Sequence, residues 1–188
     1  MNEHELIQLL RKGDEPAFRQ LVDAYRDKIF HVVLGILHNK TEAEDTTQDV
    51  FIQLYESIGQ FKEASSLSTW IYRIAVRKAL DKLRRKKTRQ RLQQWLPWWM
   101  PDESKSSSEH FCHPGIALDK KEKATTLFAA INALPAKQQV AFTLIKVYGM
   151  SYAEASNIMK QGIKAIESLI SRATRNLQQQ LEQEYGNK

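Results

Sequence analysis

Apolar residues recur every three or four positions through the first 58 residues, which predicts a succession of helices. A short N-terminal helix precedes a longer one, for which Asp14 is the expected N-cap and Asn39 the expected end signal. Thr41 and Glu44 have the spacing of a capping box, so we expect a third helix to begin there and to end near Ile58. Its buried face should consist of Ala43, Thr47, Val50, Leu54 and Ile58.

The segment from Thr69 to Arg85 contains neither Pro nor Gly and predicts a fourth helix with two unlike faces. One face is apolar and should pack in the core: Tyr72, Ala75, Val76, Ala79, Leu80 and Leu83. The other face carries an indole among charges: Trp70, Arg73, Arg77, Asp81 and Arg84. Arginines beside an aromatic surface are typical of proteins that hold unstacked single-stranded bases. The alternative is that Trp70 caps the core at one end of the helix while the cations form a solvated face.

The last third of the chain predicts a helix-turn-helix. Two helices separated by Pro135 precede a capping box formed by Ser151 and Glu154, which opens a short helix. A tight turn at residues 160–162 then leads into a long helix over 163–181. The residues expected to face outward from this long helix are Lys164, Glu167, Ser168, Ser171, Arg172 and Arg175. A plain helical hairpin within a bundle is the alternative interpretation.

The composition changes in the middle of the chain, where 95–101 is aromatic and contains two prolines and 102–108 is rich in Ser. Such composition is typical of linkers. We therefore expect an all-α protein with two small helical domains, 1–92 and 119–185, joined by a flexible linker over 93–118. The three linker tryptophans should dock onto a domain or a partner, because exposed apolar patches are unfavourable in water.

Three linker residues are candidate metal ligands: His110, Cys112 and His113. Zinc sites usually combine paired ligands at set spacing, and no second ligand cluster accompanies these three. We therefore favour an incidental or reactive thiol over a metal site, and we expect neither a metal nor a cofactor.

The overall composition agrees with a helical protein, because only 7 Gly and 5 Pro occur among 188 residues. No apolar run approaches the roughly 20 residues of a membrane span, and the acidic, amphipathic N-terminus is unlike a signal peptide. The single cysteine excludes an internal disulfide. These features predict a cytoplasmic protein without membrane insertion.

The positive charge of the chain is concentrated in one place. Residues 77–91 hold nine Lys or Arg and one acid, a net charge of +8, whereas the whole chain carries +6. The rest of the chain therefore sums to −2. A local basic patch requires a local polyanion, and nucleic acid is the first candidate.

Three motifs in the first half resemble conserved regions of one protein family. Residues 43–51 read A-E-D-T-T-Q-D-V-F, which is similar to the A-E-D-x-x-Q-[ED]-x-F run of region 2.2 in bacterial sigma factors. Residues 68–75, S-T-W-I-Y-R-I-A, are similar to the S-T-W-L-x-x-I-A run of region 2.3. Residues 81–85, D-K-L-R-R, resemble the D-x-x-R-[RK] of region 2.4.

The second half extends this resemblance. Leu134-Pro135, residues 150–152 and residues 168–177 resemble the L-P, L-S-Y and S-R-x-x-R-A-x-x-x-L elements of region 4. Because all motifs occur in order between residues 5 and 181, the chain is identified as similar to sigma factors of the extracytoplasmic-function (ECF) group, the two-domain minimal type.

The resemblance implies a polymerase-binding surface on the third helix. In the family, region 2.2 binds the coiled coil of the RNA polymerase β′ subunit, which assigns this role to Asp45, Gln48 and Asp49. Acids near a helix N-terminus also suit the helix dipole, so a purely structural interpretation stays open.

The resemblance also implies two DNA-binding surfaces. Regions 2.3 and 2.4 capture the melted −10 promoter element, which falls here on Trp70, Arg73, Arg77, Lys78, Asp81 and Arg84. The loop over 61–68 would hold a flipped-out base, and the linker would occupy the RNA exit path of the polymerase. The recognition helix would read the −35 element with Lys164, Glu167, Ser168, Arg172 and Arg175.

Some positions depart from the family pattern. Arg77 stands where Asn is common, which adds charge at a −10 contact. The recognition helix has Gly162, Ala165, Glu167 and Leu169 where Ser, Thr, Lys and Arg are usual. Since fewer cations mean fewer phosphate contacts, we expect weak duplex binding by the isolated protein. Glu167 either accepts from a cytosine amino group or is a surface helix former.

The implied function is that of an ECF sigma factor, which binds core RNA polymerase through its β′ and β subunits, recognises −10 and −35 elements and promotes DNA melting. Its implied partners are the core polymerase, promoter DNA and an anti-sigma factor. A stand-alone helix-turn-helix regulator would explain residues 119–181 but neither the acidic helix nor Trp70. An enzyme is disfavoured, because the sequence contains no Gly-rich phosphate loop, paired catalytic acids or complete metal cluster.

Overall fold

The structure, a computed structural model, describes residues 2–93 and 121–185, with side chains described for 2–89 and 126–183. The described residues form the helices α1 Glu3–Arg11, α2 Glu15–Leu37, α3 Lys40–Ser57, α4 Leu67–Gln93, α5 Lys121–Ala133, α6 Ala136–Phe142, α7 Tyr152–Met159 and α8 Ile163–Tyr185. A 3₁₀ turn, Ile58–Gln60, follows α3, and a π-helical turn, Thr143–Val147, follows α6. The predicted all-α fold is confirmed for this part of the chain.

Two of the predicted helix starts are confirmed by their hydrogen bonds. The Asp14 carboxylate accepts the backbone N–H of Ala17 at 2.8 Å and caps α2. Ser151 and Glu154 form the reciprocal capping box of α7, since each side chain accepts the backbone N–H of the other residue, at 3.2 and 2.8 Å. Both helices therefore begin with their orphan amides satisfied.

The capping box predicted from Thr41 and Glu44 is wrong. The N-cap of α3 is Asn39, whose side-chain oxygen accepts the backbone N–H of Glu42 at 2.8 Å. Asn39 is not the end signal of α2 either, because that place is taken by His38 in the left-handed conformation, with φ of 52°. His38 turns the chain so sharply that Asn39 already begins the next helix, and Thr41 lies inside its first turn.

Helix α4 is longer than the sequence predicts. It begins at Leu67, which is buried, and its start is capped by the Ser66 hydroxyl, which accepts the N–H of Thr69 at 3.2 Å. At its other end α4 continues to Gln93. Neither Pro nor Gly occurs between Leu67 and Pro97, and cations are favourable near a helix C-terminus, so the basic run does not end the helix.

The described residues form two helical units that pack against each other. In the first unit, α2, α3 and α4 enclose a core, and α1 lies against α2. In the second unit, α6, α7 and α8 pack together, with α5 against α8. Val140, Leu144 and Ile158 of the second unit belong to the same apolar cluster as the core of the first. No helix among the described residues has the length and hydropathy that crossing a membrane requires.

The predicted core faces are confirmed. All five residues of the predicted buried stripe of α3 are buried, and the apolar face of α4 is buried except for Tyr72 and Leu80, which are half-buried. The two helices therefore turn their polar faces outward, and those faces carry the candidate functional residues.

Candidate protein and nucleic-acid interfaces

The outward face of α3 carries the predicted polymerase contacts. Asp45, Gln48 and Asp49 are exposed. Between them, Thr46 and Thr47 are buried, and each donates its hydroxyl to the backbone carbonyl four residues earlier, at 2.6 and 2.7 Å. The two threonines therefore need no outside partner, and the acids and the amide of the exposed face are left available.

An apolar residue that the sequence analysis missed extends this acidic face. Ile52 is 57% exposed, and its spacing of three from Asp49 and seven from Asp45 puts it on the same side of the helix. The sequence did contain a signal for this: Ile52 is apolar, yet it does not belong to the predicted buried stripe of α3. Tyr55 is also exposed, but its ring packs edge-on against Phe18 at 5.1 Å between centroids.

The helix dipole does not account for these acids. The acid in the first turn of α3 is Glu42, which pairs with Lys86 at 3.3 Å. Asp45 and Asp49 lie further along, and the dipole effect falls off within the first turn. Asp45 lies 3.9 Å from Lys82 at the surface, a pair whose contribution to stability is small. The exposed acids therefore contribute little to the stability of the fold.

A groove of about 670 Å³ runs along the outward face of α4. The groove is lined by all five residues of the predicted charged face, and across from them by Lys137, Lys160 and Gln161 of the second unit. A second groove, of about 370 Å³, places Lys78 and Arg77 beside Asp49. The acidic face of α3 and the cationic face of α4 are therefore neighbours on one bundle.

Trp70 combines both interpretations that the sequence left open. Its ring is half-buried, packs on the apolar core and lies 4.9 Å from the ring of Phe61, tilted by 31°. It also lines the groove of α4. Part of the indole thus closes the core while part faces the cations.

The charged residues of the groove differ in their engagement. Arg73 is half-buried and donates to the backbone carbonyl of Asn157 at 2.7 Å and to the Ser65 hydroxyl at 3.2 Å. Arg84 and Asp81 form a looser pair at 3.6 Å. The guanidinium of Arg73 is therefore held by the second unit and by the loop before α4.

The loop between the 3₁₀ turn and α4 is anchored by α1, which the sequence analysis also missed. Arg11 donates to the backbone carbonyl of Phe61 at 2.6 Å and pairs with Glu63 at 2.9 Å. Glu3 accepts the N–H of Leu67 at 2.9 Å, and so holds the first residue of α4. These contacts join residues 50 to 64 positions apart, so no local sequence pattern could reveal them.

Glu63 has an unusual backbone conformation in this loop. Its φ of 55° lies in the left-handed region, which non-glycine residues rarely adopt. A hydrogen bond with His4 at 3.1 Å, and then the charge of Arg11, lower the pKa of the Glu63 carboxyl against the opposing effect of desolvation. The anionic side chain thus helps to hold an unusual backbone shape.

Helices α7 and α8 form the predicted helix-turn-helix, with Lys160 in the left-handed conformation at the turn. All five residues predicted to contact the −35 element are exposed on one side of α8: Lys164, Glu167, Ser168, Arg172 and Arg175. The opposite side is buried through Ile166, Ile170, Ala173 and Leu177. The orientation that the sequence predicts for this helix is confirmed.

The linker predictions fall largely outside the described residues, including the three tryptophans at 95, 98 and 99 and the trio His110, Cys112 and His113. Among the residues that are described, no group of three or more His, Cys, Asp or Glu could hold a metal ion.

Comparison with known proteins identifies the family. The family model described as Sigma-70 region 2 matches residues 21–89, and the one described as Sigma-70, region 4 matches residues 125–177. The chain is 30% identical over 179 residues to the ECF RNA polymerase sigma factor SigW of Bacillus subtilis, covering 93% of this chain and 94% of that protein. It is 29% identical over 175 residues to the RNA polymerase sigma-H factor of Pseudomonas aeruginosa, covering 91% and 89%.

Two solved structures share the fold. CnrH, in complex with the cytosolic domain of CnrY, has a TM-score of 0.64 at 18% identity, covering 96% of this chain and 97% of that chain. The sigma factor RpoE of Bartonella quintana, in complex with the anti-sigma factor NepR, has a TM-score of 0.64 at 23% identity, covering 88% and 96%. Taken with the two region matches and the curated relatives, the chain belongs to the sigma-70 family of RNA polymerase sigma factors, within the ECF group.

Proposed function

We propose that this ECF sigma factor works through three separate surfaces, one for core polymerase and two for promoter DNA. The observation that carries the proposal is the juxtaposition, on one bundle, of an exposed acidic face on α3 and a cationic groove on α4. Sigma factors have no catalytic role of their own, so these surfaces serve binding. A regulator that only bound duplex DNA through its helix-turn-helix would need neither of them.

The polymerase surface consists of Asp45, Gln48 and Asp49, with Ile52 as an apolar addition. Charge complementarity to a basic partner would set orientation and association rate. Ile52 would supply the desolvated contact that such interfaces usually place near their centre. The occupant is the coiled coil of the β′ subunit, and the second helical unit would contact the β subunit.

The −10 surface is the groove of α4, with Trp70, Arg73, Arg77, Lys78, Asp81 and Arg84 as its contacts. Unpairing costs on the order of a few kcal/mol per flipped base, and stacking on an aromatic side chain returns about 1–3 kcal/mol per base. Because part of Trp70 is used in the core, stacking alone does not offset melting. Contacts of the cations with phosphates, and polymerase binding, must contribute the rest.

The −35 surface is the exposed side of α8. Lys164, Glu167 and Ser168 lie near the N-terminal end of the helix, where recognition helices meet base edges. Arg172 and Arg175 lie further along and suit phosphates. Glu167 in this position favours a cytosine amino group as its partner.

As such a sigma factor, the chain would have two domains, a linker and a place in the cell that follow from its function. Residues 1–92 would form the polymerase and −10 domain, 119–185 the −35 domain, and 93–118 the linker in the RNA exit path. An anti-sigma factor is a further partner, since the B. quintana structure pairs a sigma factor of this fold with one. The protein would act in the cytoplasm, where its polymerase is.

Transcription with purified components tests the proposal. The protein, core RNA polymerase and genomic DNA fragments should yield transcripts with defined 5′ ends, and omission of either protein should abolish them. If the protein instead bound duplex DNA tightly alone and never associated with core polymerase, the sigma assignment would be lost in favour of a stand-alone helix-turn-helix regulator.

A further inference from the structure

Helix α1 is a short element that is firmly attached to the first unit. The Asn2 side chain accepts the backbone N–H of Glu5 at 2.7 Å, and the Glu5 carboxylate accepts the backbone N–H of Asn2 at 3.0 Å, which completes a capping box. Ile7 and Leu10 are buried and belong to the apolar core. A helix of nine residues is marginal by itself in water, so this cap and this packing keep α1 formed and in place.

The polar side of α1 holds both ends of the loop 61–66, which joins the 3₁₀ turn to α4. Arg11 donates to the backbone carbonyl of Phe61 at 2.6 Å, at the start of the loop. Glu3 accepts the backbone N–H of Leu67 at 2.9 Å, directly after the loop. The first N–H groups of a helix have no partner within it, so the Glu3 carboxylate also caps α4 from a distant part of the chain.

The middle of the same loop is held by α1 as well. Glu63 pairs with Arg11 at 2.9 Å and with His4 at 3.1 Å. Its backbone is left-handed, with φ of 55°, and a residue other than glycine keeps that conformation only where its surroundings enforce it. The backbone shape of the loop therefore depends on side chains of α1.

The other side of the loop meets the −10 surface. The ring of Phe61 lies 4.9 Å from that of Trp70, and the Ser65 hydroxyl accepts from Arg73 at 3.2 Å. Trp70 and Arg73 both line the groove of α4. The loop thus lies between α1 and two of the proposed −10 contacts, and a change in its shape would reach both.

We propose that α1 is a positioning element of the −10 surface, and that its hold on the loop 61–66 sets how strictly the chain selects the base at the flipped-out position. The inference rests on the proposed function for the identity of the ligand, whereas the hold of α1 on the loop does not. Helix α1 precedes residues 21–89, the segment that matches Sigma-70 region 2. The side chains that shape this loop therefore lie partly outside the matched segment.

The arrangement fixes the loop before DNA arrives. Its exposed residues, among them Lys62 and Ala64, are presented on a backbone that is held at both ends and in the middle. A binding loop that is already in its bound shape does not lose conformational freedom when the ligand binds. A fixed loop also disfavours a base that does not fit, whereas a flexible loop adapts to several. Release of α1 should therefore weaken the choice among bases more than it weakens binding of the preferred promoter.

The test uses the full chain and begins with Glu3. Glu3→Ala removes the acceptor of the Leu67 N–H and leaves Arg11 in place. Glu3→Gln keeps an oxygen acceptor at the same position and should behave nearly as the parent. Glu15→Ala is the matched control, because Glu15 is also an acid in the first turn of its helix and pairs with Arg19 of that same helix at 3.2 Å.

The hold on the loop is measured by hydrogen–deuterium exchange, followed by mass spectrometry of peptides that cover residues 61–69. Exchange in Glu3→Ala should be about threefold to tenfold faster than in the parent, as for the loss of one hydrogen bond. Peptides from α2 should exchange as before, and helix content by circular dichroism should not change. Unchanged exchange of the loop in Glu3→Ala would overturn the proposal, because α1 would then not hold the loop.

The choice among bases is measured by abortive transcription with core polymerase, on a promoter obtained from the genomic-fragment experiment. Each −10 base pair is replaced in turn by the other three. At one position, Glu3→Ala should lower the preference for the best base about threefold to tenfold, while Glu3→Gln and Glu15→Ala keep it.

A merely structural role of α1 predicts a different result. Activity in Glu3→Ala would then fall by the same factor on every promoter version, and the preference at each position would stay as in the parent; that outcome would overturn the proposal even if the loop exchanged faster. Failure of the sigma assignment would be distinct, since the parent protein itself would then give no product on any version, whatever the exchange of its loop.

Discussion

The outward faces of α3 and α4 lie side by side but are in opposite situations. Asp45, Gln48 and Asp49 are exposed on α3, where Asp45 forms only a loose surface pair with Lys82 at 3.9 Å. On α4, by contrast, Arg73 is held by a carbonyl of the second unit. One surface is ready for a partner, and the other is partly occupied by the protein's own chain.

The difference suggests an order of events. A surface that needs no rearrangement can bind at a rate set by diffusion and charge, whereas an occupied one binds only after its occupant leaves. The acidic face would thus engage polymerase before the groove takes a DNA strand. Mutations that separate the two surfaces test this order.

The largest effect is expected from reversing the acidic face. Asp45→Lys with Asp49→Lys places like charges against a basic partner, which costs several kcal/mol. Affinity for core polymerase should fall about 100-fold or more, as measured by biolayer interferometry, while binding of labelled single-stranded DNA should not weaken.

The matched control for this change is Asp23→Lys with Asp27→Lys. These two acids are also exposed, on α2, and their reversal alters the net charge by the same amount. If the control lost core binding to the same extent, net charge rather than the α3 face would govern association.

The next largest effect concerns pH, through His38 at the meeting point of α2, α4 and α5. Its ring lies 5.8 Å from that of Phe128. Burial first, and then the charges of Lys86 and Lys87, lower the pKa of His38 to about 4. An unfolded histidine takes its proton near pH 6.5. The stabilisation by neutral His38 is therefore complete above about pH 6.5 and is lost as the pH falls toward 4.

The size of this effect can be measured by urea unfolding. The difference between the two pKa values of His38 corresponds to about 3 kcal/mol in the free energy of unfolding between pH 7 and 4. His38→Asn should reduce that dependence, since asparagine tolerates the left-handed backbone and does not titrate. Equal pH dependence in His38→Asn and the parent would assign the acid sensitivity to other groups.

The sequence predicted the outward faces well because each depends only on helical spacing. The orientations of Asp45, Arg84 and Arg172 follow from which neighbours are apolar, and that pattern is local. The cap of α3 failed because His38 adopts a left-handed conformation, which Asn and Gly adopt more readily. The residues Thr41 and Glu44, two positions downstream, therefore matched the expected capping pattern better than the true N-cap, Asn39.

The contacts that the sequence did not predict join distant segments. In the sequence, Gly35 is simply a glycine inside a helix. In the structure, the side chain of Tyr148, 113 positions later, takes up the space that a Cβ at position 35 would need. The π-helical turn that presents Tyr148 has no pattern of its own, because its residues continue the helical spacing of α6. The packing of Tyr148 against α2 was for the same reason beyond any local signal.

An intermediate effect is expected from Arg84→Ala in the groove. Arg84 is exposed and only loosely paired with Asp81, so its removal should leave the fold and the acidic face intact. Open-complex formation, followed by permanganate footprinting, should fall about tenfold, as for the loss of a charge-assisted contact. Core binding should not change, and Arg19→Ala, which removes an exposed cation paired with Glu15 at 3.2 Å, should alter neither. Loss of core binding in Arg84→Ala would move this residue to the polymerase surface.

The smallest effect is expected from α1, which touches neither proposed ligand but holds the loop before α4. Arg11→Ala removes the 2.6 Å hydrogen bond to the Phe61 carbonyl and the ion pair with Glu63. The loop would then sample other backbone shapes, because Glu63, in the left-handed region, would keep only its hydrogen bond with His4. We expect the preference for one promoter base over the others at the flipped-out position to fall about threefold to tenfold in abortive-transcription assays.

Arg11→Lys should restore part of this preference, since an ammonium replaces the charge but not the guanidinium geometry. Lys12→Ala removes the same charge from the adjacent exposed position and should leave discrimination intact. If both variants behaved alike, the loop would be held by its own cap at Ser66 and not by α1.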